Sequence, residues 1–351
     1  MNKHGGYYGD DYKEIMDFSV NINPLGPSES VKEKMIESIE NIDRYPEIRG
    51  NSAIKALSNH MSINEKNIIL GNGAIELIYL FARAINPQKV LIIGPTFNEY
   101  RRAFEMNDSE VIEISRLESK EFSIDYENLV DLIYKEKPKV LILCNPNNPT
   151  GEYVSPIDFH FIVQAMDNIN GFTVVDESFM DFADKETFEK YIYNNNIFLL
   201  RSMTKFYGLP GIRLGYGLGN DNLIGVLNKF KEPWTMNSIA LDILPYVIKD
   251  KKFIKDSLKW IKEERKFLYE ELNKISALKV FEPNANFILF KLEKGNPKEF
   301  FNYLLSKKIH VRTCEDFKGL GDRYFRISVK EHKNNKNIIN TIEKWNKEVC
   351  G

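Results

Sequence analysis

Four short, almost wholly apolar runs constrain the fold of this chain more than any other feature of its sequence. They cover residues 90–93, 140–143, 172–175 and 197–200. None alternates clearly between apolar and polar residues, which is typical of strands that are buried on both faces. The stretches between them carry apolar residues at helical spacing, as in residues 159–166. Strands that alternate with helices predict crossover units and a mainly parallel sheet.

The sequence changes character from about residue 239. A long charged helical pattern at 253–273 precedes two strand-like runs, at 286–290 and 323–329, and residues 333–347 have the spacing of an amphipathic helix. A length of 351 residues also favours one large and one smaller domain. We therefore expect a smaller α+β domain that a long helix joins to the larger one.

Apolar spacing also predicts two early helices. The first begins at about Ser30 and places four apolar residues on one stripe, namely Val31, Met35, Ile39 and Ile42. The second follows residues 71–73 and is apolar on most sides, which indicates deep burial.

Composition excludes several classes of protein. Lys plus Arg total 48 against 50 Asp plus Glu, a formal charge of -2, so nucleic acid is not an expected partner. The three cysteines, Cys144, Cys314 and Cys350, show no metal-like spacing and predict neither a disulfide framework nor a metal site. No apolar run resembles a secretion signal or is long enough to span a bilayer. We expect a cytoplasmic protein with no membrane partner.

Polar residues follow three of the four apolar runs, where ligands of open α/β sheets collect. Residues 145–151 read Asn-Pro-Asn-Asn-Pro-Thr-Gly, and Asp176 and Glu177 follow the third run. The segment 201–216 contains Lys205, with hydroxyl residues one and three places before it and an arginine eight places after it. Taken singly, these features are an ordinary turn-rich loop, a strand-end carboxylate and a surface lysine.

In this order and spacing, the three segments resemble the class I/II aminotransferases, and the resemblance covers essentially the whole chain. It implies fold type I, an α/β fold with a mainly parallel seven-stranded sheet in the large domain, and pyridoxal 5'-phosphate as cofactor. Lys205 would hold that cofactor as a Schiff base and then act as acid or base at the substrate Cα. Asp176 would keep the pyridine nitrogen protonated, and Asn148 would hydrogen-bond the ring 3'-oxygen.

The resemblance also assigns residues to the cofactor phosphate and to the ring face. Gly73 and Ala74 stand at a predicted helix amino terminus, where backbone amides and the helix dipole favour an anion. The side-chain phosphate ligands of the family match Ser202, Thr204 and Arg213. Phe97 matches the residue that stacks on the ring, although a plain core phenylalanine is the alternative interpretation.

The same resemblance predicts how the chain is divided and assembled. The expected parts are an N-terminal arm, 1–27, that contributes to the active site and the small domain, a large cofactor-binding domain, 28–238, and a small C-terminal domain, 239–351. Tyr45 would reach into the cofactor site of a neighbouring subunit. A homodimer with a shared active site is therefore expected.

Within the class, the chain resembles two groups that handle phosphorylated amines, the histidinol-phosphate aminotransferases and the threonine-phosphate decarboxylases of the cobalamin pathway. The shared segments are residues 21–27, 44–46 and 324–329. By that match Arg326 binds a substrate anion, with Arg312 and Asn23 nearby. A guanidinium suits carboxylate and phosphate alike because its planar fork donates two parallel hydrogen bonds. Taken alone, Arg326 could equally be a surface charge at a strand edge.

Three features favour the decarboxylase group. The opening His4-Gly5-Gly6 is similar to that group, where the histidine lies near the substrate phosphate, although a disordered terminal histidine is the alternative. The segment after Lys205 is also closer to the decarboxylase pattern. Phe179 stands where many aminotransferases carry a tyrosine that hydrogen-bonds the ring 3'-oxygen.

The expected reaction is loss of carbon dioxide from L-threonine O-3-phosphate to give 1-aminopropan-2-ol phosphate, a cobalamin side-chain precursor. Serine phosphate is an alternative substrate, because one methyl group contributes only about 1 to 3 kcal/mol of discrimination. A histidinol-phosphate aminotransferase is the main rival function. A non-catalytic regulator is a second rival, but such proteins usually carry a DNA-binding segment first, whereas the substrate-loop motif here begins at Asn21.

Overall fold

The computed structural model describes residues 4–7, 9–193 and 196–350. Its strands are β1 Met16–Asp17, β2 Ile68–Asn72, β3 Lys89–Gly94, β4 Glu110–Ser115, β5 Val140–Cys144, β6 Phe172–Asp176, β7 Ile197–Ser202, β8 Leu214–Leu218, β9 Leu278–Val280, β10 Phe287–Leu292, β11 Ile309–His310, β12 Arg312–Thr313 and β13 Tyr324–Ser328. The α-helices are α1 Glu29–Ser38, α2 Asn51–Met61, α3 Ala74–Ile85, α4 Glu99–Glu105, α5 Tyr126–Glu136, α6 His160–Asn168, α7 Asp221–Phe230, α8 Ser238–Val247, α9 Lys251–Leu272, α10 Pro297–Ser306 and α11 His332–Cys350.

The larger sheet has seven strands in the order β2-β8-β7-β6-β5-β3-β4. Its neighbours pair in parallel except at β8, which runs antiparallel to both β2 and β7. The four apolar runs form most of β3, β5, β6 and β7. The expectation of a mainly parallel seven-stranded sheet is therefore confirmed.

Helices cover both faces of this sheet, which explains why its strands are apolar without alternation. In β5, Leu141 and Leu143 join one hydrophobic cluster with α2, α5, α6 and α8. Val140 and Ile142 point the other way and join a second cluster with α3, α4 and α7. As predicted, α3 is buried along most of its length.

The second sheet is antiparallel, with four strands in the order β12-β13-β10-β9. It shares a core with α9, α10 and α11, in which the rings of Phe290 and Phe325 stack at 5.8 Å. The predicted amphipathic helix near the C-terminus is α11, and Ile338, Ile342 and Trp345 are buried there. Near the N-terminus, β1 pairs in parallel with β11. This pairing ties the N-terminal segment to the smaller unit.

The first helix differs from its prediction. It ends at Ser38 and continues as a 3-10 turn, Ile39–Asn41, so the expected apolar stripe turns outward. Val31 is buried, but Ile39 is 53% and Ile42 is 62% exposed. The prediction therefore holds for Val31 and Met35, which pack against the core, and is wrong for Ile39 and Ile42 within one chain.

The boundary at residue 238 stays a prediction. Apolar residues of α8, including Leu244 and Val247, lie in the core of the larger sheet, whereas α9 contributes Ile261 and Leu268 to the core of the smaller one. No helix of the described residues combines the length and apolar character needed to cross a bilayer.

Candidate active site

A cavity of about 200 Å³ opens beyond the carboxyl ends of β5, β6 and β7, between the two sheets. We call it the Lys205 cavity. It is lined by residues of the N-terminal segment, the larger sheet and the smaller sheet: His4, Gly5, Ser19, Val20, Asn21, Ile22, Phe97, Asn98, Asn148, Phe179, Lys205, Arg312, Phe317 and Arg326. A larger cavity, of about 490 Å³, lies beside β4 and α5 and contains none of the predicted site residues.

Lys205 lies in the turn that follows β7. Its Nζ donates a hydrogen bond to Ser202 Oγ at 3.1 Å and lies 5.3 Å from the centre of the Phe179 ring. Burial lowers the pKa of Lys205, and the negative charge of Asp176 opposes that shift. A lowered pKa increases the fraction of neutral amine near neutral pH, which is the form that acts as nucleophile or base.

Asp176 ends β6 and is 4% exposed. Its Oδ1 accepts a hydrogen bond from the Ser178 backbone N–H at 2.8 Å, and its Oδ2 accepts one from the Tyr100 hydroxyl, also at 2.8 Å. Two donors from different segments fix the plane of the carboxylate. The arrangement suits a partner that carries positive charge.

The five predicted phosphate ligands converge at the amino terminus of α3. Ser202 pairs with Gly215 across β7 and β8, and a Cβ added to Gly215 would lie 2.6 Å from the Ala74 nitrogen. The hydroxyls of Ser202 and Thr204 lie 2.8 Å apart. Gly73 has φ +75°, and a Cβ there would overlap the Arg213 guanidinium. Backbone amides, hydroxyls and a guanidinium are the donors that a phosphate requires.

Asn148 and Arg326 are linked across the cavity. Arg326 Nη1 donates to the Asn148 amide oxygen, and Nη2 donates to the Ser19 carbonyl at 2.8 Å. Because the amide oxygen already accepts, the amide nitrogen of Asn148 is the atom that can donate to a bound group. Burial lowers the pKa of Arg326 to about 10, so the guanidinium remains a cation at neutral pH.

The N-terminal segment closes one side of the cavity. His4 Nε2 lies 3.1 Å from a Glu99 carboxylate oxygen, and the imidazole ring centre is 6.0 Å from that of Phe97. The Gly6 backbone N–H donates to Ser19 Oγ at 2.7 Å. His4 and Phe97 therefore lie beside each other in the cavity wall, and their roles toward substrate and cofactor stay predictions.

Arg312 lines the opposite wall and is held by its own strand. Its Nη1 donates to the Thr313 carbonyl at 2.7 Å, and Nη2 contacts Asp316 at 2.7 Å. Together, Arg312 and Arg326 place two buried guanidinium groups beside the same small cavity.

Two predicted residues, Asn23 and Tyr45, belong neither to the cavity wall nor to the groups around Asp176 and the amino terminus of α3. Asn23 is 2% exposed, and its Nδ2 donates to the Phe206 carbonyl at 2.7 Å and to Ser257 Oγ at 2.8 Å. Its backbone N–H also binds the Lys205 carbonyl, so Asn23 braces the Lys205 turn. Tyr45 is 86% exposed and packs against Trp234 at 5.3 Å, away from Lys205 of the same chain.

The sequence interpretation missed three residues of the site. Tyr100 binds Asp176, Ser19 binds Arg326, and Glu99 binds His4. A signal for Tyr100 does exist, because it shares one helical stripe with the buried Ala103 and Phe104 and brings a hydroxyl into that apolar face. For Ser19 the contact is made by a backbone carbonyl, which residue type does not reveal.

Comparison with known proteins identifies the family of this chain. The family model for aminotransferase class I and II matches residues 13–342. The chain belongs to the class I/II aminotransferase family. A threonine-phosphate decarboxylase from Salmonella typhimurium is 32% identical over 332 residues, 93% of this chain and 90% of that protein. A histidinol-phosphate aminotransferase from Methanocaldococcus jannaschii is 32% identical over 327 residues, 92% of this chain and 87% of that protein.

A solved structure supports the same family. The crystal structure of the histidinol-phosphate aminotransferase from Clostridium acetobutylicum superimposes with a TM-score of 0.89 at 33% identity, covering 95% of this chain and 99% of that one. Class I/II aminotransferases use pyridoxal phosphate, and the phosphate donors beside α3 with the lysine above them fit that cofactor. Within the described residues, no group of His, Cys, Asp or Glu side chains could hold a metal ion.

We call the group formed by Gly73, Ala74, Ser202, Thr204 and Arg213 the phosphate cradle. It gives the first prediction. Gly73→Ala should weaken pyridoxal phosphate binding on the order of tenfold or more, because the added Cβ strains a positive-φ position and displaces the Arg213 guanidinium. The dissociation constant is measured by titrating apoenzyme and following absorbance. Gly225→Ala in α7, where an added Cβ meets nothing within 4 Å, is the control and should bind normally. An unchanged constant for Gly73→Ala would contradict the cradle.

Proposed function

We propose that this enzyme decarboxylates L-threonine O-3-phosphate to 1-aminopropan-2-ol phosphate. One observation carries the proposal: the Lys205 cavity gathers His4, Arg312 and Arg326 around a single compact space beside the lysine. A substrate with both a carboxylate and a phosphate needs several cationic or donor groups at such short range. The 32% identity to a threonine-phosphate decarboxylase supports this choice.

The proposed cofactor contacts follow from the positions of the side chains. Lys205 Nζ would attach the cofactor covalently, and Asp176 would place its negative charge at the ring nitrogen. Asn148 would donate its amide N–H to the ring 3'-oxygen, and Phe97 would lie on the ring face. The phosphate would be held by the Ala74 amide beside Gly73 and by side chains of the cradle, namely Ser202, Thr204 and Arg213.

Bound pyridoxal phosphate would supply an electron sink that accepts the pair released when a bond at Cα breaks. In the proposed reaction the bond between Cα and the carboxyl carbon breaks, carbon dioxide leaves, and Cα gains a proton. Lys205 Nζ is the group that would deliver that proton. Desolvation of Lys205, which lowers its pKa, favours exchange of that proton near neutral pH.

The two substrate anions would be divided among three groups. Arg326 and Arg312 are buried and have lost most of their hydration. The charge of an anion beside them would compensate for that loss. His4 would contribute from the N-terminal side, oriented by Glu99. Asn23 would act through the Lys205 turn, since its amide is used by Phe206 and Ser257.

An aminotransferase acting on histidinol phosphate is the second candidate. It is favoured by the TM-score of 0.89 to a solved enzyme of that name and by 32% identity to another. Against it stands the apolar ring of Phe179, which packs edge-on against Phe287 at 5.0 Å and has no hydroxyl to donate to the ring 3'-oxygen.

The two candidates predict different products. Purified holoenzyme incubated with carboxyl-labelled L-threonine O-3-phosphate, and no keto acid, should release labelled carbon dioxide and form an amine phosphate detectable by mass spectrometry. Lys205→Ala should release none, because it lacks both the attachment point and the proton donor. Glutamate formed from 2-oxoglutarate and histidinol phosphate, without carbon dioxide from threonine phosphate, would instead establish the aminotransferase.

We propose further that two chains form a homodimer through the face shared by α1 and α8. Large apolar side chains are exposed on these helices, namely Ile36 and Tyr246, and on the segments that follow α1 and precede α8, namely Ile39, Ile42, Tyr45 and Trp234. Two of these rings, Tyr45 and Trp234, are in contact, and a group of exposed large apolar side chains is typical of an interaction surface. Tyr45, being 86% exposed, would enter the Lys205 cavity of the second chain.

A mixed dimer tests the shared site. Lys205→Ala and Tyr45→Ala proteins should each be nearly inactive alone. Mixed by unfolding and refolding, they should regain up to about a quarter of wild-type activity, because half of random dimers are mixed and each holds one intact site. If Tyr45 served its own chain, mixing would restore nothing. Ile157→Ala, at an exposed apolar residue outside this face, is the control for Tyr45→Ala and should be active by itself.

A further inference from the structure

Tyr100 is a buried polar residue for which the proposed reaction has no direct use. It lies in α4 and is 1% exposed. Its neighbours on the same helical face, Ala103 and Phe104, belong to the apolar cluster beneath the larger sheet. A hydroxyl placed in such surroundings is costly unless it is hydrogen-bonded, and its partner is Asp176 Oδ2 at 2.8 Å.

The contact leaves Asp176 able to bind another group. A carboxylate has about four acceptor positions, and Asp176 uses one on each oxygen, toward Ser178 and toward Tyr100. One donor comes from the loop after β6 and the other from α4, across the sheet layer. Rotation of the carboxylate would break at least one of these hydrogen bonds, so its orientation is set from two sides.

Tyr100 keeps its proton in this environment. Burial raises the pKa of Tyr100 well above its ordinary value, and the charge of Asp176 raises it further. The adjacent Cys144 thiol is likewise neutral, because burial raises its pKa to about 11. Lys205 is a further neighbour of Asp176, because the negative charge of that carboxylate opposes the lowering of the pKa of Lys205 by burial. The Tyr100 hydroxyl is therefore the donor and Asp176 Oδ2 the acceptor of their hydrogen bond.

Tyr100 also touches the other group predicted to contact the cofactor ring. Its ring packs edge-on against Phe97, with 5.6 Å between centres and 85° between planes. Phe97 lines the Lys205 cavity. A single buried side chain therefore supports both the expected stacking ring and the expected charge partner.

We propose that Tyr100 is a positioning residue that aims the Asp176 carboxylate at the cofactor ring nitrogen and holds the Phe97 ring in place. This inference rests on the proposed placement of pyridoxal phosphate with its ring nitrogen at Asp176. The hydroxyl acts through Asp176 and the ring acts through Phe97, so the two contributions can be separated by substitution.

Tyr100→Phe removes the hydroxyl and keeps the ring contact. We expect the dissociation constant for pyridoxal phosphate to rise on the order of tenfold, because a hydrogen bond to a charged group is lost. The pH midpoint of the visible absorbance change of bound cofactor should rise by about one unit. Without the Tyr100 hydroxyl, Asp176 would stabilise the protonated ring nitrogen less well, so the ring would carry less positive charge. That charge repels the proton on the nitrogen that Lys205 supplies. With less repulsion, this nitrogen would keep its proton to a higher pH.

Tyr324→Phe is the matched control. Its hydroxyl also donates to a carboxylate, Glu118 Oε2 at 2.5 Å, but lies outside the Lys205 cavity. The dissociation constant for pyridoxal phosphate and the pH midpoint of the absorbance change should both stay at their wild-type values in this variant. A general effect of deleting a phenol hydroxyl would move them in both proteins.

Asp176→Asn separates the two ways of failing. If Asp176→Asn leaves the pH midpoint unchanged, the proposed cofactor placement is wrong whatever Tyr100 does. If Asp176→Asn moves the midpoint and Tyr100→Phe does not, the role of Tyr100 alone is refuted. In the double variant, Tyr100→Phe should add no further shift in the pH midpoint.

Folding of the Tyr100→Phe protein is checked by circular dichroism. A protein that fails to fold also overturns the inference, because a positioning role requires that the cavity still forms when the hydroxyl is absent.

Discussion

The parallel pairing of β5, β6 and β7 is the constraint on which the rest of this site depends. Cys144 is in register with Asp176, and Asp176 with Leu200, so three strands end at nearly the same level. Side chains alternate between faces, and a slip of one residue would turn Asp176 into the opposite layer. Burial of both faces by helices opposes such a slip, because it would also exchange the two apolar sets. The packing of the hydrophobic core therefore determines the relative positions of the polar groups at the strand ends.

The smaller sheet supplies the other half of the chemistry. Arg312 and Arg326 are register partners on β12 and β13, which places two guanidinium groups side by side. Ser19, after β1, accepts from Arg326, while β1 itself pairs with β11 of the smaller unit. The link from Arg326 to Asn148 then crosses to the larger sheet. Groups that would bind substrate and groups that would bind cofactor are therefore mechanically connected.

Burial explains which features the sequence could predict. Strands β5 and β6 were predictable because two covered faces require unbroken apolar runs, and Lys205, Asp176 and Asn148 because they follow such runs in a specific combination. The contact of Tyr100 with Asp176 could not be predicted, because it depends on how the short helix α4 packs against the sheet. The outward turn of Ile39 and Ile42 was also missed, because helical spacing predicts a contact without saying which chain provides it. Asn23 was assigned to substrate by resemblance, while its amide is engaged beneath the Lys205 turn.

The central claim is that Lys205, and no other lysine, attaches the cofactor in the cavity between the two sheets. Borohydride reduction of the holoenzyme, followed by proteolysis and mass spectrometry, tests it directly. The account predicts one modified peptide, carrying a pyridoxyl phosphate group on Lys205. A group attached to a different lysine, or no modified peptide from enzyme saturated with pyridoxal phosphate, would contradict it.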